Sequence, residues 1–517
     1  MNEPTRDETR RCIALLEALE RDRSLLSRLS EEDRVALLVA AGRLSRPTRE
    51  ERIRVSKAFR KTRRKEEQDQ DRAARAATEI RTARRAEVFV PPPQLVEGEG
   101  AALAAPRELL RPRGCYVCHV EFRRLHSFYD ALCPPCAELN YEKRFQTASL
   151  DGKVSLITGA RVKIGYQAAL KMLRAGARVL VTTRFPRDAA QRYAREPDFA
   201  AWNDRLEVHG LDLRHAPSVE LFARYLDSTL GRLDILINNA AQTVRRPPGF
   251  YAPLLALEEG PFEALPPALQ GVLRAHEACK AALSASAPPA LTTGMVDAGE
   301  VPSGVVTWHG RDPGVGIRSP ALLSQLPSVY DDATGGAHLF PPGRADADLQ
   351  QIDLRTVNSW RLPLSAVPTA EMLEVQLVNA VAPFILASKL KPLMLRHPTG
   401  QKHIVNVSAV EGQFGRHTKT DKHPHTNMAK AALNMMTFTS APDYAQGGIF
   451  MNAVDTGWVT DEDPLHHSLR KQEVHDFQPP LDIVDGAARI CDPFFAGLLS
   501  GNHVWGKFLK DYVPVAW

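Results

Sequence analysis

Seven short apolar runs, separated by stretches of helical texture, constrain this chain more than any other feature. They are KVSLIT (153–158), ARVLVTT (177–183), LEVHGLD (206–212), LDILINN (233–239), HIVNVS (403–408), FMNAVDT (450–456) and VWGKFL (504–509). Their near-continuous apolar character means that both faces of each strand must be covered. Strands alternating with helices pair in parallel. The expected architecture is α/β, a doubly wound and mostly parallel sheet of about seven strands. Ligands of such sheets bind outside the carboxyl ends of the strands.

One interval breaks the alternation. Between Asn239 and Asn379 lie 139 residues, far more than a crossover needs. Residues 241–370 hold 16 of the 38 prolines, and SAPPALTTGMVDAGEVPSG reads as surface loop. The expectation is an insertion at about 245–365, either a lid over the ligand or a solvated decoration. Trp308, Phe340 and Trp360 are its candidates for an apolar pocket wall, or for ordinary core.

The 517 residues leave room for about three domains. Residues 1–90 carry 23 Lys and Arg against 17 Asp and Glu, whereas the rest is near neutral. This arm reads as helical. Ser30 with Asp33 and Thr48 with Glu51 mark helix starts, Leu15, Leu16, Leu19, Leu25, Leu26 and Leu29 form an apolar stripe, and a long exposed helix runs from Arg49 to about Glu87. A basic arm suits nucleic acid, but the interleaved acids and the lack of aromatic interleaving favour a solvated or protein-bound helix. The Pro91-Pro92-Pro93 run opens a linker over 91–110. No run of 18 apolar residues predicts a membrane-spanning helix, and the charged N-terminus does not read as a secretory signal. With seven cysteines and no disulfide framework, a reducing cytoplasmic location is expected.

Cys115-x2-Cys118 and Cys133-x2-Cys136 form a compact four-thiolate pattern within a module at 111–148. Zinc prefers four tetrahedral thiolates, and each pair can offer two; the alternative is four buried thiols. A closed shell of cysteines is structural rather than catalytic. His119 and His126 stand nearby as alternative ligands. Cys12, Cys279 and Cys491 have no spacing partners, and buried neutral thiols are expected there.

Thr158-Gly159-Ala160-Arg161-Val162-Lys163-Ile164-Gly165 joins the first large-domain strand to its helix, a turn whose amides can approach a pyrophosphate. Asp212-Leu213 follows the third strand and Asn238-Asn239-Ala240-Ala241 the fourth. In order and spacing, residues 150–517 resemble the short-chain dehydrogenase/reductase family. The resemblance implies a Rossmann-type sheet, a nicotinamide cofactor and often a homodimer. It places Asp212 by the adenine and Asn239 as a support of the central strands. It assigns Gly159, Arg161, Lys163, Ile164, Gly165, Leu213 and Ala240 to the nucleotide pocket. The second strand ends in Thr182-Thr183-Arg184, with no carboxylate for a ribose 2′-hydroxyl. Arg184, helped by Arg187, suits a 2′-phosphate, so NADP is expected over NAD.

The family's chemistry uses Asn, Ser, Tyr and Lys: Tyr moves the proton, Lys lowers its pKa and holds the ribose, and Ser orients the substrate oxygen. Asn379 and Lys430 match. The residue four before Lys430 is Thr426 instead of Tyr, Ala409 stands at the Ser position with Ser408 one step earlier, Lys163 replaces a glycine, and Thr456-Gly457 replaces Pro-Gly. Adjacent strand residues face opposite ways, so Ser408 replaces Ala409 only through a register change or bulge. General acid–base catalysis contributes about 10²–10⁴-fold, so an altered donor is needed. His423 and His425, in the segment 416–425, are candidates.

Two principal readings follow: an NADP-dependent oxidoreductase using Asn379, Ser408, Thr426 and Lys430, or a non-catalytic NADP(H)-binding scaffold or redox sensor that signals through the zinc module and arm. The substrate is an unassigned small molecule. A protein partner for the arm and module is expected; nucleic acid and membrane are not.

Overall fold

The computed structural model describes residues 5–86, 88, 107–285, 312–326, 336–346, 349–415 and 419–517. Trp308, most of the 91–110 linker, and Arg416, His417 and Thr418 lie outside them. The chain divides into two compact units, Met1–Arg72 and Ala73–Trp517.

The first unit is helical: Arg6–Arg21, Glu31–Ser45 and a helix from Arg49 that ends at Ala76. Ser30 Oγ accepts the Asp33 N–H at 3.0 Å, and Thr48 and Glu51 form a reciprocal capping box. Thr5 and Glu8 form a further box that the sequence reading passed over. The predicted leucine stripe is not buried within the first helix, and Cys12 is exposed rather than buried. The long helix stops short of Glu87; the Glu79–Ala83 turn that follows belongs with the second unit.

Among its described residues the second unit holds ten strands: β1 Glu108–Gly114, β2 Glu121–Arg124, β3 Val154–Thr158, β4 Arg178–Thr183, β5 Leu206–Gly210, β6 Ile235–Asn238, β7 Lys402–Ser408, β8 Ile449–Asp455, β9 Phe508–Lys510 and β10 Val513–Val515. The large sheet runs β10-β9-β8-β7-β6-β3-β4-β5, with β10 alone antiparallel. It is a doubly wound Rossmann-type sheet of eight strands rather than about seven. The extra strand follows a two-residue turn in which Asp511 and Tyr512 both have positive φ, 48° and 71°. That geometry matches the twist of a hairpin, but neither residue type advertises it. Of the predicted VWGKFL run only Phe508 and Leu509 are strand, within Phe508–Lys510.

The period-two rule divides the core. Leu156, Leu180, Leu236, Ile404 and Met451 face one cluster with the helices Ala216–Thr229 and Ala382–Leu395. Ile157, Val179, Val181, Ile237 and Val405 face another, with the helices Lys163–Arg174 and Ile483–Ser500. Thr369–Leu395 is long and apolar enough to cross a membrane, but half of that apolar window is buried in the protein. Scattered charges hid it from the sequence reading.

The described insertion is more ordered than its prolines suggested. Helices Pro248–Glu258 and Pro267–Ala285 each begin on a proline, the first-turn position that tolerates a missing N–H. Phe340 is buried with Phe185, Phe250 and Tyr251.

The cysteine module is a β1/β2 hairpin followed by the helix Pro134–Phe145. Arg144 binds it to the large sheet's helix Ile483–Ser500. Its guanidinium donates to Asp482 at 2.7 and 3.0 Å and to Asp485 at 2.8 Å, with all three residues buried. Tyr129 adds a hydroxyl bond to Asp485 at 2.5 Å. Burial alone would expel such charges; the fork and the capping amides of Val484 and Asp485 compensate them.

Candidate active site and metal centre

The carboxyl ends of β3, β4, β6, β7 and β8 open onto a cleft of about 1010 Å³. Of the residues expected to contact a nucleotide, all but Arg187 line it: Gly159, Arg161, Lys163, Ile164, Gly165, Arg184, Asp212, Leu213, Asn239, Ala240 and Lys430. Ser408, Ala409 and Thr426 line it too. Asn379 stands just behind, tied to the lining residue Gln242: its Oδ1 accepts the Gln242 N–H at 2.7 Å and its amide donates to the Gln242 carbonyl at 3.2 Å.

The turn after β3 keeps the backbone that glycines make possible. Gly159 has φ +68°, and a side chain there would meet Ala240 Cα at 2.7 Å. A side chain on Gly165 would strike Asn239 and the Gly159 carbonyl. Asn239 donates to the Thr158 and Gly159 carbonyls at 3.0 and 3.1 Å, fastening β6 to the turn. Lys163 adopts φ 58°, so a lysine holds the left-handed geometry customary for glycine. Its cation lies near Glu462: burial raises that carboxyl, but Lys163 and Arg246 more than offset it and hold the pKa below the usual range.

Three nucleotide candidates are committed within the protein. Asp212 is fully buried and accepts the Arg214 fork, with Nη2 to Oδ2 at 2.7 Å; burial raises its pKa, and Arg214 overrides that. Arg161 donates to Asp188 at 2.7 Å. Arg187 caps the Pro248–Glu258 helix through the Leu257, Glu259 and Gly260 carbonyls and is absent from the cleft wall, contrary to its expected help with a 2′-phosphate. Arg184 differs. It rests over the Tyr251 ring at 4.5 Å, donates to the Tyr251 hydroxyl at 2.6 Å, and has no ion-pair partner among the described residues.

At the other end, Lys430 Nζ donates to the Val407 carbonyl at 2.7 Å, and burial pushes its pKa down to about 8 against the opposing pull of Glu411 and Asp455. Ser408 Oγ donates to Asn434 Oδ1 at 2.5 Å, so this hydroxyl is engaged by the Pro424–Gln446 helix. No bulge brings it to the Ala409 position: β7 and β8 stay in unbroken register through Ser408 and Asp455. Thr426 Oγ1 is buried without a hydrogen-bond partner among the described residues. His423 lines the cleft and stacks on Trp360 at 3.9 Å, and burial lowers its pKa. His425 is buried, has neither ring nitrogen paired, and is not in the cleft wall.

Asp455 and Tyr116 are among the wall residues that no motif in the sequence marks. Asp455 accepts the Val410 and Gly457 N–H groups, each at 2.7 Å, and burial raises its pKa. Tyr116, from between the first two cysteines, reaches the same wall and accepts the Trp458 N–H at 2.8 Å.

Two family models match the chain. One, described as short chain dehydrogenase, covers residues 153–252; the other, described as Enoyl-(Acyl carrier protein) reductase, covers 356–475. Both segments, 220 of the 517 residues, match models of the short-chain dehydrogenase/reductase family. The two matched segments flank most of the insertion. An uncharacterized protein of Acanthamoeba polyphaga mimivirus is 27% identical over 435 residues, 81% of this chain and 78% of the viral protein. Dehydrogenase/reductase SDR family member 13 of Homo sapiens is 31% identical over 236 residues, 45% of this chain and 59% of that one. Retinol dehydrogenase 13 of Mus musculus is 34% identical over 94 residues, 18% of this chain and 28% of its own length. The chain thus spans less than two thirds of both named dehydrogenases. A solved Pseudomonas aeruginosa RhlG/NADP complex shares 15% identity over 70% of this chain and 95% of that chain, at a TM-score of 0.40.

The second site lies in the module. The sulfurs of Cys115, Cys118, Cys133 and Cys136 lie within 4.8 Å of one another, with Cys118 and Cys133 at 3.6 Å. A tetrahedron with metal–sulfur bonds of about 2.3 Å has edges near ~3.8 Å, so the donor set suits zinc. The Val120 N–H holds the Cys118 pKa down at about 7, which favours its thiolate. Neither His119 nor His126 joins the cluster. Cys279 and Cys491 are buried, and burial raises both pKa values to about 12.

Proposed function

We propose that the protein is an NADP(H)-dependent oxidoreductase that interconverts a carbonyl and a hydroxyl group with an altered proton donor. The observation that carries this reading is the meeting of Arg184, a guanidinium with no direct ion pair among the described residues, with the amine of Lys430 in one cleft. Arg184 would hold a 2′-phosphate by paired N–H donors while Tyr251 supports its plane. The turn at Gly159 and Gly165 would receive the pyrophosphate against main-chain amides. NADPH, when bound, supplies a hydride equivalent to the carbonyl carbon.

The chain's own part is to orient the substrate and to provide the proton. Thr426 cannot match a phenol in reach or acidity. Lys430 replaces it: an amine with a pKa of about 8 can hold or release a proton at Nζ near neutral pH. Zinc on the four cysteines would act structurally, since no open ligand position remains.

The engagement of Ser408 by Asn434 favours the second reading, a non-catalytic NADP(H)-binding scaffold or redox sensor. Purified protein incubated with NADPH and a panel of aldehydes and ketones separates the two. Carbonyl-dependent oxidation of NADPH that is lost in Lys430→Ala supports the enzyme. Tight NADPH binding with no oxidation supports the sensor.

A further inference from the structure

We propose that Tyr116, although it belongs to the metal module, is a dinucleotide-binding residue: its hydroxyl donates a hydrogen bond to a carbonyl or hydroxyl oxygen at the end of the ligand remote from Arg184. The inference rests on the nucleotide reading of the cleft.

A phenol has one donor hydrogen and can also accept. The Tyr116 oxygen accepts the Trp458 N–H at 2.8 Å, and its hydrogen has no acceptor among the described residues. Asp455, the carboxylate that acts most strongly on the phenol, receives the Val410 and Gly457 amides instead. A donor is therefore left unspent on the wall of the cleft. Gly457 keeps the approach open: with φ +74°, it places no side chain where a Cβ would stand 3.4 Å from the Tyr116 oxygen.

The phenol is also held in place before any ligand arrives. Its own N–H donates to the Ala131 carbonyl at 2.9 Å, while Cys115 N–H and His119 N–H close the surrounding turn on Val120 and Cys115. The ring packs in the cluster that contains Leu481 and Val459, beside Ile164 of the dinucleotide turn. The Arg144 fork fixes the module to the helix Ile483–Ser500, which itself packs on the helix that opens at Lys163. A donor fixed in advance costs little ordering on binding.

Sheet order sets which part of the ligand it meets. Arg184 follows β4, whereas Tyr116 meets the turn after β8; β3, β6 and β7 lie between these strands. Four strand spacings amount to roughly 19 Å, a span for a dinucleotide but not for its adenosine half.

The test is a calorimetric titration of full-length, metal-loaded wild type and Tyr116→Phe with NADPH and with adenosine 2′,5′-bisphosphate. The variant keeps the ring and removes only the hydroxyl. NADPH affinity should fall about 3- to 10-fold, the share of one hydrogen bond, while bisphosphate affinity stays within twofold and zinc content is unchanged. Unchanged NADPH affinity overturns the assignment. Equal loss for both probes also overturns it, because it marks general damage. If wild type binds neither probe, the nucleotide reading itself fails; if wild type binds both and the variant matches it, Tyr116 alone is misassigned.

Discussion

Lys430 donates its side-chain nitrogen to the carbonyl oxygen of Val407 at 2.7 Å, across the end of β7. That bond holds the amine where β7 meets the cleft, and burial does the rest by pushing its pKa down to about 8. Below that value Nζ carries the proton that carbonyl reduction consumes; above it the proton is gone. The kcat/KM for reduction should therefore fall about tenfold per pH unit above pH 8. Lys430→Met should abolish the profile and most of the rate. A rate flat from pH 7 to 10 would exclude Lys430 as the acid.

Arg184 is held by the Tyr251 hydroxyl and by the Tyr251 and Phe185 rings and makes no direct ion pair among the described residues, so its charge is available to a 2′-phosphate. Arg184→Ala should weaken NADPH by about 10- to 100-fold, as expected for a lost paired charge contact, and leave NADH nearly unchanged. Equal effects on the two coenzymes would place the phosphate elsewhere.

Arg144 is the buried clamp between module and sheet. Arg144→Met leaves Asp482 and Asp485 without their cation and should cost about 3–5 kcal/mol in urea unfolding, the range for a broken buried pair. A loss below about 1 kcal/mol would mean that water reaches these carboxylates.

Metal analysis should return one zinc per chain. Chelation should lower thermal stability, with Cys133→Ser reproducing the effect, because binding to such sites contributes to folding. A metal-free chain of full stability would leave four reduced thiols as the better account.

Much of this was legible because the relevant signals are local. Apolar runs gave the strands from Val154 to Asp455, and C-x2-C spacing brought four sulfurs together. The turn from Thr158 to Gly165 reached the expected strand–helix junction, with Lys163 tolerated through its backbone. What escaped depends on side-chain pairings, local in one case and far apart in sequence in the others. Asp212 is spent on Arg214, Arg187 on a helix end in the insertion, and Ser408 on Asn434, none of which a motif records. Tyr116 carries no periodic signal; only the docking of the module turns it toward the cleft.

The helices Ala382–Leu395 and Pro424–Gln446 leave Phe384, Met435 and Phe438 more than half exposed. Pairing of two copies would cover such side chains. Light scattering should give twice the 57.1 kDa chain mass, and Phe438→Glu should reduce it. A monomer at high concentration contradicts this.

The most direct test of the whole account is calorimetry of the wild-type chain with NADPH and NADH. Saturable one-to-one heat with NADPH, and at least tenfold weaker binding of NADH, is the predicted result. No heat from either coenzyme at millimolar concentration would contradict it.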